Sequence, residues 1–115
     1  MSSKERTRLI SDVVSKGQEI LDIIKKVTND EKELEKTKKE LSEFEHKIVT
    51  SQDLITSQDR EKISEMTKKI QDLERSIHEN KWSANIKGSS FGRTVCELDC
   101  CVDHHDCHMT IYSDT

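Results

Sequence analysis

The most reactive side chains of this sequence are concentrated in its last 20 positions. All four cysteines and three of the five histidines lie there, within the segment CELDCCVDHHDCHM. Thiolate and imidazole groups are the usual ligands of tetrahedral Zn²⁺, so zinc is the one cofactor that the sequence suggests. The candidate metal ligands are Cys96, Cys100, Cys101, His104, His105, Cys107 and His108.

The spacing of these ligands does not match a standard zinc finger. Cys96, Cys100, His104 and His108 are each four residues apart. On one straight helix they would spread over about 18 Å, so a single ion would need a bend or a second chain. Two alternatives therefore stay open, a zinc site and a disordered Cys/His-rich tail, and the sequence favours the disordered tail.

No catalytic constellation is present, because a short acidic tail after a glycine linker offers no rigid pocket for a thiolate nucleophile. We therefore expect no catalytic residues and no enzyme. The N-terminus also lacks the apolar stretch of a secretory signal. Reduced thiols and a cytoplasmic or nuclear location are thus expected rather than a disulfide framework.

The elements that must position these residues are predicted helices. Apolar residues recur at heptad spacing from Leu9 to Ala84, which predicts an elongated all-α coiled coil. The phase of the repeat changes between Ile55 and Ile63, which are eight residues apart rather than seven. The predicted coiled-coil interface consists of Ile10, Val13, Ile20, Ile24, Val27, Leu34, Leu41, Ile48, Ile63, Met66, Ile70, Leu73 and Ile77.

Charged residues at three a positions of the heptads restrict the partner. Glu31, Lys38 and Glu45 would each face their own copy in a parallel, in-register homodimer, which is destabilising. Other coiled-coil proteins, in a heteromeric or an antiparallel arrangement, are therefore favoured as partners. Lys69 and Glu74 are placed to attract each other across a parallel pair of helices.

The apolar face is wide at the N-terminal end, where Leu9, Val14, Leu21 and Ile23 flank the heptad positions. A face of this width suits packing against two or more helices. The alternative is a helix lying on a membrane surface. It is disfavoured because the polar side of the helix mixes acidic and basic residues.

The sequence predicts four segments. They are helix 1 at 3–49, a phase break or hinge at 50–60, helix 2 at 61–87 and a flexible acidic tail at 88–115. Within 50–60 the tetrapeptide TSQD occurs twice and has the residue types of a helix N-cap, but neither Gly nor Pro marks a sharp turn. One continuous helix with a local irregularity is therefore favoured over a helical hairpin, and Gly88 is expected to end helix 2.

Ser51-Gln52 and Ser57-Gln58 resemble the Ser-Gln acceptor sites of DNA-damage-type kinases. Ser51 and Ser57 are therefore candidate phosphorylation sites. Capping of a helix or simple exposure to solvent is the plainer interpretation of both serines.

Composition and charge exclude several classes of protein. Only 31% of the 115 residues are hydrophobic and 37% are charged, which is too polar for one compact core. Residues 1–87 contain 18 basic and 18 acidic side chains, so the net charge of −4 comes from the tail. No basic stripe for nucleic acid and no run of about 20 apolar residues for a membrane span is present.

In its heptads the chain is similar to small coiled-coil subunits of kinetochore, cytoskeletal, tethering and scaffold assemblies, although this likeness singles out no family. The sequence therefore predicts a non-enzymatic oligomerisation or scaffold subunit of a larger assembly. The alternative is a metal-binding or redox-responsive module, in which the Cys/His tail is the sensor and the helices dimerise.

Overall fold

The structure is a computed structural model that describes residues 2–52, 54–98 and 109–113. It contains two helices, α1 at Ser3–Thr50 and α2 at Ser57–Leu98, and the described residues form no strand. The predicted all-α fold is confirmed.

Helix α1 begins with the capping chemistry that its sequence provides. The Ser2 hydroxyl oxygen accepts a hydrogen bond from the Glu5 amide at 3.1 Å, which satisfies one of the free donors of the first turn. Glu5 itself lies in that turn, where a carboxylate interacts favourably with the helix dipole.

The favoured continuous helix is wrong, since α1 ends at Thr50 and α2 begins at Ser57. The second TSQD copy forms the new start. The Asp59 amide donates to the Thr56 hydroxyl, and the Thr56 amide donates to an Asp59 carboxylate oxygen, both at 3.1 Å. This reciprocal capping box gives α2 a defined first turn without any glycine or proline.

Helix α2 does not end at Gly88, as the sequence suggested, but continues to Leu98. No described residue has a positive φ, so Gly88 does not adopt the left-handed conformation of a C-terminal cap. Gly88 is buried, and its missing side chain makes room for another part of the chain. Residues 88–98 are therefore helical and do not belong to a flexible tail.

The chain divides into two compact units, which we call the hairpin unit, Thr28–Ile77, and the terminal unit, Met1–Val27 with His78–Thr115. In the hairpin unit the helices run antiparallel, because partner numbers fall along α2 as they rise along α1. The Ser76 hydroxyl contacts Asp30 at 3.0 Å, and the Lys62 ammonium lies 4.5 Å from the centre of the Phe44 ring. Ile77 and Thr37 are its buried residues.

The helices of the terminal unit are antiparallel as well. Lys87 donates to Glu19 at 3.1 Å, and Lys16 donates to the Thr94 hydroxyl at 2.9 Å. The buried residues of this unit include side chains from both helices. The buried side chains are those of Leu9, Ile20, Val27, Ala84, Thr94 and Cys96, and Gly88 is buried as well.

Candidate interaction surface

The predicted coiled-coil residues are mainly covered by other parts of the same chain. Within each unit these side chains are buried or half-buried, and Ile10 alone of the set is exposed. A heptad pattern cannot distinguish a partner helix in another chain from one in the same chain, because both bury the same seam. The large apolar side chains that the described structure leaves exposed are therefore Ile10 and residues outside this set.

One of the charges that disfavour a parallel homodimer, Lys38, forms an ion pair inside the hairpin unit. Lys38, at an a position, lies 3.4 Å from Glu74, and Lys69 lies 2.6 Å from Glu33. Lys69 and Glu74 thus each contact α1 of their own chain, rather than each other across a parallel pair. Antiparallel pairing within the chain places opposite charges together along this seam.

The Glu33 and Lys69 side chains alter each other's protonation. The hydrogen bond and charge of Lys69 lower the pKa of the Glu33 carboxyl, and those of Glu33 raise the pKa of the Lys69 ammonium. Both groups are exposed to solvent, so this pair contributes little to stability.

An apolar stripe remains uncovered on the N-terminal part of α1. Ile10, Val14 and Leu21 are 48%, 67% and 53% exposed. At 100° per residue they lie within about 40° of one another around the helix. We call these three residues the α1 stripe. The sequence showed Val14 and Leu21 as flanking apolar positions, and the structure shows that α2 does not cover them.

Basic residues stand at both ends of the α1 stripe. Arg6 precedes Ile10 by four residues and Lys25 follows Leu21 by four, so both share its side of the helix. Between them Gln18 donates to the Asp22 carboxylate at 3.0 Å. The α1 stripe is therefore about 17 Å long from Ile10 to Leu21, and the two positively charged residues beyond its ends are about 28 Å apart along the helix.

A second apolar surface lies on α2 in the terminal unit. Trp82 and Ile86 are 59% and 57% exposed and, with Asn85 and Ser89, line a shallow groove of about 200 Å³. Asn85 also contacts the C-terminal segment Met109–Ser113. No pattern in the sequence indicated this role for Asn85.

The connection between the helices forms a further apolar patch in the hairpin unit. Val49, Leu54 and Ile55 are exposed there, beside a cavity of about 270 Å³ that Phe44 and Ile48 also line. The acidic group at this cavity, Asp59, is hydrogen-bonded in the α2 cap. Polar side chains, namely Lys47, Ser51 and Thr56, line the cavity beside its apolar surface.

Of the candidate metal ligands, only Cys96 belongs to the described part of the chain. It is buried and disulfide-bonded, so its sulfur is not a free thiolate for zinc. This corrects the expectation of reduced thiols at Cys96, and the argument from reduced thiols for a cytoplasmic or nuclear location loses its support there. Within residues 2–52, 54–98 and 109–113, no group of three His, Cys, Asp or Glu residues could hold a metal ion. The other candidate ligands lie outside these residues, namely Cys100, Cys101, His104, His105, Cys107 and His108.

The two candidate phosphorylation sites occupy different positions, although both are exposed. Ser51 follows the last residue of α1, and its amide donates to the Lys47 carbonyl at 3.1 Å. Ser57 is the first residue of α2. A phosphate at a helix N-terminus is favourable, so Ser57 is the better electrostatic position of the two.

Comparison with known proteins assigns no family to the chain. No family model, curated protein or solved structure matches it. Neither described helix contains a stretch long and apolar enough to cross a membrane.

Proposed function

We propose that this protein is a non-enzymatic interaction subunit that binds an amphipathic helix of another protein along the α1 stripe. The observation that supports the proposal is the presence of three large apolar side chains at helical spacing that α2 leaves exposed. Burying them against a partner would contribute favourable free energy at about 25 cal/mol per Å² of apolar surface. A scaffold or oligomerisation role within a larger assembly follows from such binding.

The charges at the ends of the stripe favour a heteromeric partner. In an antiparallel pair of two copies, Ile10 would face Leu21 and Arg6 would face Lys25. In a parallel pair Arg6 would face Arg6, and Lys25 would face Lys25. Both arrangements bring like charges together at the ends of the contact. The partner that fits is a helix with an apolar stripe and carboxylates about 19 residues apart, one opposite each basic end.

The proposal can be tested with a synthetic helical peptide that carries a leucine stripe between two glutamates about 19 residues apart. We expect it to bind the full chain more tightly than the same peptide with lysines at those two positions. The Leu21→Asp variant should bind the glutamate peptide at least about tenfold more weakly, because it places a charge in the apolar contact. Fluorescence anisotropy with a labelled peptide measures both effects.

Ser15→Asp is the matched control, since Ser15 is exposed on the same helix and about 100° around it from Val14. It introduces the same charge away from the stripe and should leave the affinity unchanged. Equal losses at Leu21 and Ser15, or equal binding of the two peptides, would show that the stripe is not the binding surface.

A further inference from the structure

The C-terminal segment Met109–Ser113 is held on α2 by the side chain of Asn85. The amides of Ile111 and Tyr112 both donate to the Asn85 Oδ1 atom, at 2.9 and 2.8 Å. Asn85 Nδ2 donates in return to the Tyr112 carbonyl at 2.7 Å. One side-chain amide thus uses both its acceptor and its donor capacity on three backbone groups of a non-helical segment.

Gly88 gives this segment room to approach the helix. A Cβ atom at Gly88 would lie 2.6 Å from the Met109 carbonyl oxygen and 3.1 Å from the Ile111 side chain. The first distance is too short for a contact between a Cβ atom and an oxygen to which it is not bonded, so only glycine fits here without a shift of the segment. A glycine inside a helix lowers stability by about 1 kcal/mol relative to alanine. At position 88 the backbone of another segment passes close to the helix, which favours glycine there.

Two side-chain contacts hold the C-terminal segment on either side of Asn85 along α2. The Ile111 side chain lies against Gly88, and the Tyr112 ring lies with its centre 5.2 Å from the Lys81 ammonium. A cation near an aromatic face at this distance is attracted to it. Lys81, Asn85 and Gly88 are spaced four and three residues apart, so they share one side of the helix.

We propose that Lys81, Asn85 and Gly88 form a peptide-binding site, the α2 notch, whose ligand is a non-helical segment with an aliphatic residue followed by an aromatic one. The Ile111-Tyr112 pair is its tethered ligand. Asn85 binds the backbone of the ligand, Gly88 accepts the aliphatic side chain, and Lys81 contacts the aromatic ring. This site is separate from the α1 stripe, and it does not depend on the function proposed above.

Tethering explains why such a small contact is occupied. Three hydrogen bonds and two side-chain contacts make a weak site for a free peptide. A ligand on the same chain is present at an effective concentration of the order of millimolar. A free peptide of the same sequence should therefore compete only when the tethered segment is weakened.

Amide hydrogen exchange in the full chain tests the role of Asn85. We expect the Ile111 and Tyr112 amides to exchange at least about tenfold faster in Asn85→Ala than in the wild type, since their acceptor is lost. Asn29→Ala removes an exposed asparagine from α1 and should leave both rates unchanged. Unchanged exchange in Asn85→Ala would overturn the proposal.

Two glycine-to-alanine substitutions distinguish a steric clash in the notch from the general effect of alanine on helix stability. Gly88→Ala should release the segment and accelerate the same two amides, because its Cβ collides with the Met109 carbonyl. Gly17→Ala adds the same methyl to α1 at an ordinary 3.5 Å from the Phe91 ring, so it should leave their exchange unchanged. Slow exchange in Gly88→Ala would mean that the segment does not use the notch.

Binding by a free ligand is tested with the synthetic peptide Met-Thr-Ile-Tyr-Ser, added to the full chain carrying Ile111→Glu. The Asn85 side-chain amide resonances should shift on titration. The wild-type chain should need at least about tenfold more peptide for the same shift, because its own segment competes. The double variant Gly88→Ala/Ile111→Glu keeps the Asn85 amide as a probe and should show no shift, because its Cβ blocks the notch. If the Asn85 resonances do not shift in Ile111→Glu, or if the wild type responds equally, the contact is ordinary packing and the proposal is overturned.

Discussion

Two buried threonines make the same hydrogen bond within their own helices but differ in their other hydrogen-bond partners. Thr37 and Thr94 are 2% and 5% exposed, and the hydroxyl of each donates to the carbonyl four residues earlier in its helix. The Thr94 oxygen also accepts a hydrogen bond from the Lys16 ammonium, which is mostly covered. Thr94 therefore links the two helices of its unit through a charged donor.

Replacing each threonine with valine should reveal this difference. We expect Thr94→Val to lower the free energy of unfolding by about 1–2 kcal/mol more than Thr37→Val, because hydrogen bonds to charged groups contribute more than neutral ones. Urea denaturation of the two variants measures the difference. Equal losses would indicate that the Lys16 ammonium finds another acceptor at no cost, for example Asp12, which lies 3.7 Å away.

Helix α1 has two apolar surfaces, one that is buried within the chain and one that is exposed. Ile20 is 6% exposed and belongs to the buried side of the terminal unit, whereas its neighbour Leu21 belongs to the α1 stripe. The wide apolar face predicted from the sequence is therefore divided between packing inside the chain and an exposed stripe. Because Ile20 and Leu21 are adjacent and similar in size, substitutions at these two positions can separate effects on folding from effects on binding.

Alanine at these two positions should give opposite results. Ile20→Ala should cost about 2–5 kcal/mol of stability, as expected for a truncated core side chain. Leu21→Ala should change stability by less than about 1 kcal/mol, yet weaken binding of the glutamate-flanked peptide. Thermal denaturation and anisotropy measure the two properties on the same samples. A large loss of stability in Leu21→Ala would place Leu21 in the core instead of the stripe.

For the molecule as a whole, pairing of helices within one chain changes how folding should depend on concentration. The predicted interface residues other than Ile10 are buried or half-buried inside the units, so we expect the isolated chain to fold without a second copy. We expect its melting temperature to stay constant over a roughly hundredfold dilution, because a unimolecular equilibrium does not depend on concentration. Circular dichroism at several concentrations checks this.

One charge reversal should favour self-association, because it removes the like charges that face each other in an antiparallel pair of wild-type chains. In Lys25→Glu, antiparallel pairing of two copies would place Arg6 opposite the new carboxylate at both ends of the stripe. We expect a dimer by light scattering and a melting temperature that rises with concentration. Arg6→Glu/Lys25→Glu restores like charges and should remain monomeric. A monomeric Lys25→Glu chain would show that end charges do not determine the partner.

The sequence by itself determined the all-α fold, the start of α1 at its serine cap and the wide apolar face near Val14. Each depends on local pattern, namely heptad spacing, capping residues and the period of a helix. Local pattern also supplied the capping residues of α2. It did not indicate which of the two TSQD copies would cap α2. The first copy begins at Thr50, which can end one helix as readily as Thr56 can begin the next.

Only the tertiary structure decided where the predicted contacts are made. The heptads and the charges of Lys38 and Lys69 are compatible with a partner in another chain or in the same chain, and their antiparallel pairs between α1 and α2 select the same chain. Gly88 carries the sequence signal of a helix end. In the structure it stays helical, and the space beside it is filled by Met109 and Ile111 from a segment 21 to 23 residues away. A contact between segments so distant in sequence leaves no periodic trace in either of them.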